Sequence, residues 1–185
     1  MLVADAQRDL RRAYVGGGPG VLVSAAVWFV AASVQQSQGI AAGFAALFIG
    51  GMAIFPVSKL LCRFIFRREN ESSTNPLGMV ALESTVAMIG GLFAAWLFLS
   101  SKPTLVFPLA AIAVGTHYGV FKTIYGDRTF WVLTAIITAI GLADIFIAPM
   151  HGVTAWSVAV VELVFGLFVI ARANDRAKNS DAVAA

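Results

Sequence analysis

The chain has 185 residues, 59% of them hydrophobic and 12% charged, with a mean hydropathy of +0.83. A soluble domain keeps apolar and polar residues closer to balance, so this composition excludes an ordinary soluble protein and makes a lipid bilayer the first partner. The formal charge of +3 is too small to suggest a polyanion, and no nucleic-acid partner is expected.

In chain order, residues 1–18 read as a basic tail with Arg8, Arg11 and Arg12. Six apolar runs follow, near Pro19 to Gln35, Gly39 to Leu61, Leu77 to Ser100, Pro103 to Phe121, Thr129 to Ala148 and Val153 to Ala171. Each is close to the roughly 17–25 residues that cross a bilayer as helix. Barrel strands would alternate apolar and polar residues, and a run such as Val21 to Ala32 does not. The predicted fold is therefore all-α: one transmembrane domain of six helices over 19–172, with a disordered polar tail over 173–185.

Turns are expected at Gln35 to Gln38, Arg67 to Pro76, Ser100 to Pro103, Gly126 to Arg128 and Pro149 to Gly152. Pro19, Pro76 and Pro103 suit helix starts, where a missing N–H costs little. Pro56 and Pro108 fall inside spans and predict kinks.

Twelve of the thirteen Lys and Arg lie on one side of this layout, and only Lys102 on the other. The positive-inside rule then puts both termini in the cytoplasm of a bacterial inner-membrane, multi-pass protein. The leader holds Asp5 and Asp9 and is long for a signal peptide, so the first span is expected to be retained. Cys62 is the single cysteine and His117 and His151 are the two histidines, which argues against a disulfide framework or a zinc site. No CxxC, phosphate-binding loop, HExxH or GxSxG occurs, so neither an enzyme nor a cofactor is indicated.

Four ionisable residues fall inside spans: Glu83, His117, Asp144 and Glu162. A carboxylate at a helix centre costs about 2.5–3.5 kcal/mol, so each needs a partner, water or a proton. Glu83 shares a helical stripe with Ala87, Gly90 or Gly91 and Ala94, and Glu162 with Ala155, Ala159 and Gly166. Small residues beside an acid admit a neighbouring backbone, so both glutamates are expected to face inward, and such faces offer routes to an oligomer. Lys59 is a candidate partner for Glu83, with snorkelling to the interface as its alternative. Gly115 to Gly119 is a small-xxx-small motif of the kind that packs helices. Trp28, Trp96, Trp131 and Trp156 suit an aromatic belt. Glu83 and Glu162 also occupy the third helix of each three-span half, the arithmetic of an inverted repeat.

Arg11-Arg12, Phe55-Pro56 followed by Ser58-Lys59, Asn75-Pro76-Leu77, Gly115-Thr116-His117 with Tyr125 downstream, and Val161-Glu162-Leu163 together resemble the YoaS-like family of small bacterial membrane proteins. The resemblance implies a compact multi-span helical protein and no particular activity. Within it, Lys59, His117 and Glu162 match recurring polar positions, whereas the loops at 67–74 and 149–153 depart from the pattern.

Two functions are open. In the first, Glu162, Glu83, His117, Asp144 and Lys59 mark a pathway for a small solute or proton, with Glu162 central because it lies nearest the midplane. In the second, the acids are interhelical glue in a scaffold, an assembly factor or a subunit of a larger membrane complex.

Overall fold

A computed structural model describes residues 1–147 and 152–184, with side chains as far as Arg176. Among the described residues there are seven α-helices and no strands. They are α1 (Val3–Ala13), α2 (Gly18–Gln38), α3 (Ile40–Leu60), α4 (Leu77–Trp96), α5 (Val106–Tyr125), α6 (Thr129–Phe146) and α7 (Thr154–Ala184). Six segments are long and apolar enough to span a bilayer: Val15–Gln38, Ile40–Ile65, Leu77–Trp96, Pro103–Tyr125, Thr129–Phe146 and Thr154–Arg176. The expected end of span five at Ala148 and most of the Pro149 to Gly152 turn lie outside the described residues.

Helix edges differ from the sequence expectation where turn chemistry intervenes. The third span stops as helix at Trp96 rather than Ser100, and residues 97–101 wind on as turns. Pro108 does not interrupt a helix interior: it is the third residue of α5, after a 3-10 turn at Pro103–Leu105, where no N–H is required of it. Pro56 does lie inside α3, and the Ser58 hydroxyl donates to the Phe55 carbonyl there at 2.8 Å. Five residues later the helix widens into a π-turn, Leu61–Ile65, with Phe66 N–H reaching back to Leu61 O at 3.1 Å.

Two glycine sites shape the connections. Gly17 (φ +89°) turns the chain from α1 into α2, and a Cβ there would stand 2.5 Å from the Tyr125 ring. Gly39 (φ +91°) alone separates α2 from α3, folding them into a hairpin without a loop.

Neighbouring helices pack in the order α3, α2, α7, α6, α5, α4. The series does not close, because α3 and α4 do not pack against each other. Small residues bring the closed part together. A Cβ on Gly18 would meet the Gly166 carbonyl at 3.1 Å, one on Gly141 the Pro108 carbonyl at 2.6 Å, and one on Gly115 the Thr138 hydroxyl at 2.6 Å. Without a hydrophobic force between helices in lipid, such close backbone approach is what holds a bundle together. Trp28, 1% exposed, fills the interior against Phe107 and is not the belt anchor expected, because α2 lies between α3 and α7. Trp96 and Trp131 are 48% and 57% exposed, as belt residues would be.

The segment read as an N-terminal tail is an amphipathic helix. Ala6, Leu10 and Ala13 of α1 are buried at helical spacing against the bundle. Asp9 accepts hydrogen bonds from Ser72 N–H at 2.8 Å and Asn75 Nδ2 at 3.0 Å, and pairs with Arg12 at 3.0 Å. Gln7 and Arg11 donate to the carbonyls of Thr123 and Tyr125. At the start of α6, Asp127 accepts from Thr129 N–H and its hydroxyl and meets Arg172 and Arg176, each at 3.5 Å. The N-terminal helix, both charged loops and the basic end of α7 therefore share one face of the bundle, called the basic face below.

Candidate functional site

The gap between α3 and α4 is the mouth of a cleft of about 290 Å³, near the lower end of the roughly 300–1,000 Å³ typical of small-molecule pockets. Its walls are Leu47, Gly51 and Ser58 of α3 and Ala81, Thr85 and Leu92 of α4. Its back is formed by Val21, Ser24 and Trp28 of α2 with His117, Tyr118 and Phe121 of α5. The lining is mostly apolar, with hydroxyl and imidazole groups at intervals. At the basic face the cleft ends on Leu10, Tyr14, Cys62 and Glu71.

Glu162 sits immediately behind this back wall. It is 0% exposed, and its Oε1 accepts a hydrogen bond from the Tyr118 hydroxyl at 3.0 Å. Its Oε2 is buried with no hydrogen-bond partner among the described residues, although buried Ser24 stands beside the pair. A carboxyl with so few donors in an apolar interior is costly and sensitive to any change of partner. The expected stripe holds: Ala155, Ala159 and Gly166 are buried on the face of α7 turned to α2. Tyr118 thus belongs to the cleft wall and to the acid at once.

His117 also lines the cleft, with Nδ1 2.7 Å from the Ser84 hydroxyl and its ring edge-on to Phe121 at 5.0 Å. This bond ties α5 to α4. The glycines on either side of the His117-Tyr118 pair do what a small-xxx-small motif predicts, packing against Thr138 and Thr134 of α6. Helical spacing aims the two side chains between them elsewhere.

Asp144 is 1% exposed and accepts a hydrogen bond from the Thr154 hydroxyl, joining the end of α6 to the start of α7. Thr154 lies eight residues before Glu162, about 12 Å along the helix. Asp144 and Glu162 therefore belong to separate polar spots.

Glu83 does not face inward. It is exposed, as are Ala87, Gly90 and Ala94 of its stripe, whereas α4 buries Leu92 and Ala95 and half-buries Ala81, Ser84, Thr85 and Met88. The reason is that α4 packs chiefly against one helix, α5, and the side it turns to α5 is the one with Ser84, Met88, Leu92 and Ala95, a quarter turn or more from Glu83. Lys59 does not pair with Glu83 either: its Nζ lies 3.9 Å from Glu71, with Phe55 beneath it at 5.9 Å. The α3–α4 gap separates the two expected partners. Glu83 and Glu162 consequently occupy opposite environments, unlike matched positions of two repeats.

Several cleft residues carried no signal in the reading of charges inside spans, notably Tyr118, Ser24, Thr85, Tyr14 and Glu71. For Tyr14 a signal existed: the spacing of Ala6, Leu10 and Ala13 marks α1 as an amphipathic helix that would bring its end onto the bundle. In place Tyr14 stands 6.3 Å from the Phe55 ring, and burial, reinforced by adjacent Glu71, pushes its hydroxyl pKa up.

Comparison with curated proteins and with solved structures gives no match. Residues 3–172 match a family model, which covers the first helix, five spans and the sixth as far as Arg172. The chain belongs to that family, a family of unknown function (DUF7010).

Proposed function

We propose that the protein is a small carrier or channel-like membrane protein, proton-linked, with the α3–α4 cleft as its ligand path and Glu162 as its titrating acid. The basic face then lies in the cytoplasm of a bacterial inner membrane, as the cation asymmetry favours. The observation that carries this reading is the shared position of Tyr118, which lines the cleft and donates to a fully buried carboxyl. A ligand that displaced the Tyr118 hydroxyl would leave Glu162 without its hydrogen-bond donor, linking occupancy of the cleft to the proton on the acid. His117, beside Tyr118 on the same wall, is the relay toward the basic face.

A scaffold or complex subunit is the second reading. It is favoured by a specific observation: Glu162 and Asp144 are both shut away from the cleft and capped by hydroxyls.

Proteoliposomes loaded with a pH dye and driven by a potassium diffusion potential separate the two. The carrier reading expects proton uptake above empty vesicles, reduced about tenfold or more in Glu162→Gln. Uptake equal in wild type, Glu162→Gln and empty vesicles overturns it in favour of the scaffold.

A further inference from the structure

The cleft presents three features that have to be explained together. It is open sideways, because the α3 and α4 walls do not pack on each other, and both helices are exposed on their other faces at Ile49, Met52, Leu82 and Val86. Whatever enters therefore comes from the lipid phase. Its interior is largely apolar from Leu47 and Leu92 down to Phe121, which suits a hydrocarbon chain better than a hydrated solute.

The third feature is the basic-face end. There the cleft adjoins a small polar recess that shares Tyr14, Cys62 and Glu71 with it and adds Lys59, Arg63 and Arg68. The acids of this recess each meet a cation, although Glu71 Oε2 is buried without a hydrogen-bond partner among the described residues. Glu71 faces Lys59, and Glu69 meets Arg12 at 3.6 Å. Arg63 and Arg68 make no ion pair among the described residues, and Arg68 Nε is buried without a hydrogen-bond partner. An apolar slot that ends where cations outnumber acids three to two, with two guanidinium groups in no ion pair among the described residues, is complementary to an amphiphile with an anionic head.

We propose that the cleft holds an acyl chain of an anionic membrane phospholipid, which enters between α3 and α4 and sets its phosphate against Arg63 and Arg68. This names a ligand class for the cleft and rests on reading it as a ligand site. Zwitterionic phospholipid fits the slot equally but gains less from the two arginines. Gly51 and Gly78, where an added Cβ meets nothing within 4 Å, leave each wall open at one position.

Trp28 provides the probe, since it lines the cleft and is 1% exposed, out of reach of lipid around the bundle. A chain with Trp96, Trp131 and Trp156 changed to Phe is titrated in detergent with phosphatidylglycerol or phosphatidylcholine bearing the same brominated acyl chains. Saturable quenching of Trp28 is expected from phosphatidylglycerol, with phosphatidylcholine needing about tenfold or more to match it. Gly51→Leu, which adds a side chain to the slot from a position where a Cβ meets nothing within 4 Å, is expected to abolish the quenching. Arg63→Gln with Arg68→Gln is expected to erase the headgroup preference while chain quenching remains. Native mass spectrometry of the chain with all four tryptophans provides a check independent of these substitutions: one retained phosphatidylglycerol, lost in Gly51→Leu. Equal quenching by both lipids, no quenching by either, or indifference to Gly51→Leu overturns the proposal. Proton flux without Trp28 quenching rejects the lipid alone and leaves the carrier reading in place.

Discussion

Glu83 and Glu162 are near twins in sequence, each an acid on an apolar helix with small residues along its own stripe, yet one is exposed and the other 0% exposed. The difference lies in the neighbours of the helix. α7 packs on α2 and α6, so its small stripe is taken up by close approach to α2, as Gly166 is by Leu22. α4 packs chiefly on α5, and a helix with one main neighbour buries one side. A small-residue stripe permits close contact but does not itself supply the contact.

The comparison is broken most forcefully by truncating each acid. Glu162→Ala removes a buried side chain and leaves the Tyr118 hydroxyl without its acceptor, so a loss of about 2–4 kcal/mol is expected. Glu83→Ala touches no packed neighbour and is expected to change stability by about 0.5 kcal/mol or less. Thermal or denaturant unfolding in one detergent measures both. Equal losses would mean that α4 buries Glu83 in the membrane, against a second copy or another partner. Glu162→Gln keeps the shape and an acceptor oxygen, and its stability cost is expected to be under about 1 kcal/mol, which leaves it usable in the flux assay.

A second contrast sets the basic face against the core. For Asp9, burial opposes the charge, but the Asn75 and Ser72 hydrogen bonds and Arg12 outweigh it and hold the carboxyl below the usual carboxylate range. A carboxyl depressed on folding adds stability above its unfolded pKa of about 3.9, and that stability is lost as pH falls through the lower folded value. Acidification from about pH 5 to 3 should therefore loosen α1 from the Arg67–Pro76 loop while leaving the Glu162 region packed. Hydrogen exchange of residues 3–13 checks this. Asp9→Asn should start from the loosened state and lose most of the acid response.

The six spans were legible because bilayer crossing demands length and apolarity, both local properties of sequence. Glu162 facing inward was legible too, from Ala155, Ala159 and Gly166. The facing of Glu83 was not, because it depends on how many helices pack around α4, and only the assembled chain contains that information. The cleft was illegible for the same reason: it is a missing contact between α3 and α4. Tyr118 was visible in Gly115 to Gly119, but the packing glycines dominated the motif, and nothing local assigned the tyrosine to an acid forty-four residues away.

The smallest effect separates two possible partners of one lysine. Lys59 lies 3.9 Å from Glu71, both side chains are partly exposed at 41% and 26%, and the pair sits where helix α3 gives way to the charged loop. In such surroundings water screens the attraction and side-chain ordering offsets it, so a double-mutant cycle on Lys59→Ala and Glu71→Gln is expected to give a coupling of about 0.2–0.5 kcal/mol. The same cycle on Lys59→Ala and Glu83→Gln is expected to be additive, because Glu83 is exposed with no ion pair among the described residues and the cleft mouth intervenes. The contrast between cycles matters more than either value. A coupling to Glu83 that exceeded the coupling to Glu71 would require α3 and α4 to close on each other in the membrane, and a closed gap leaves no sideways entrance to the cleft.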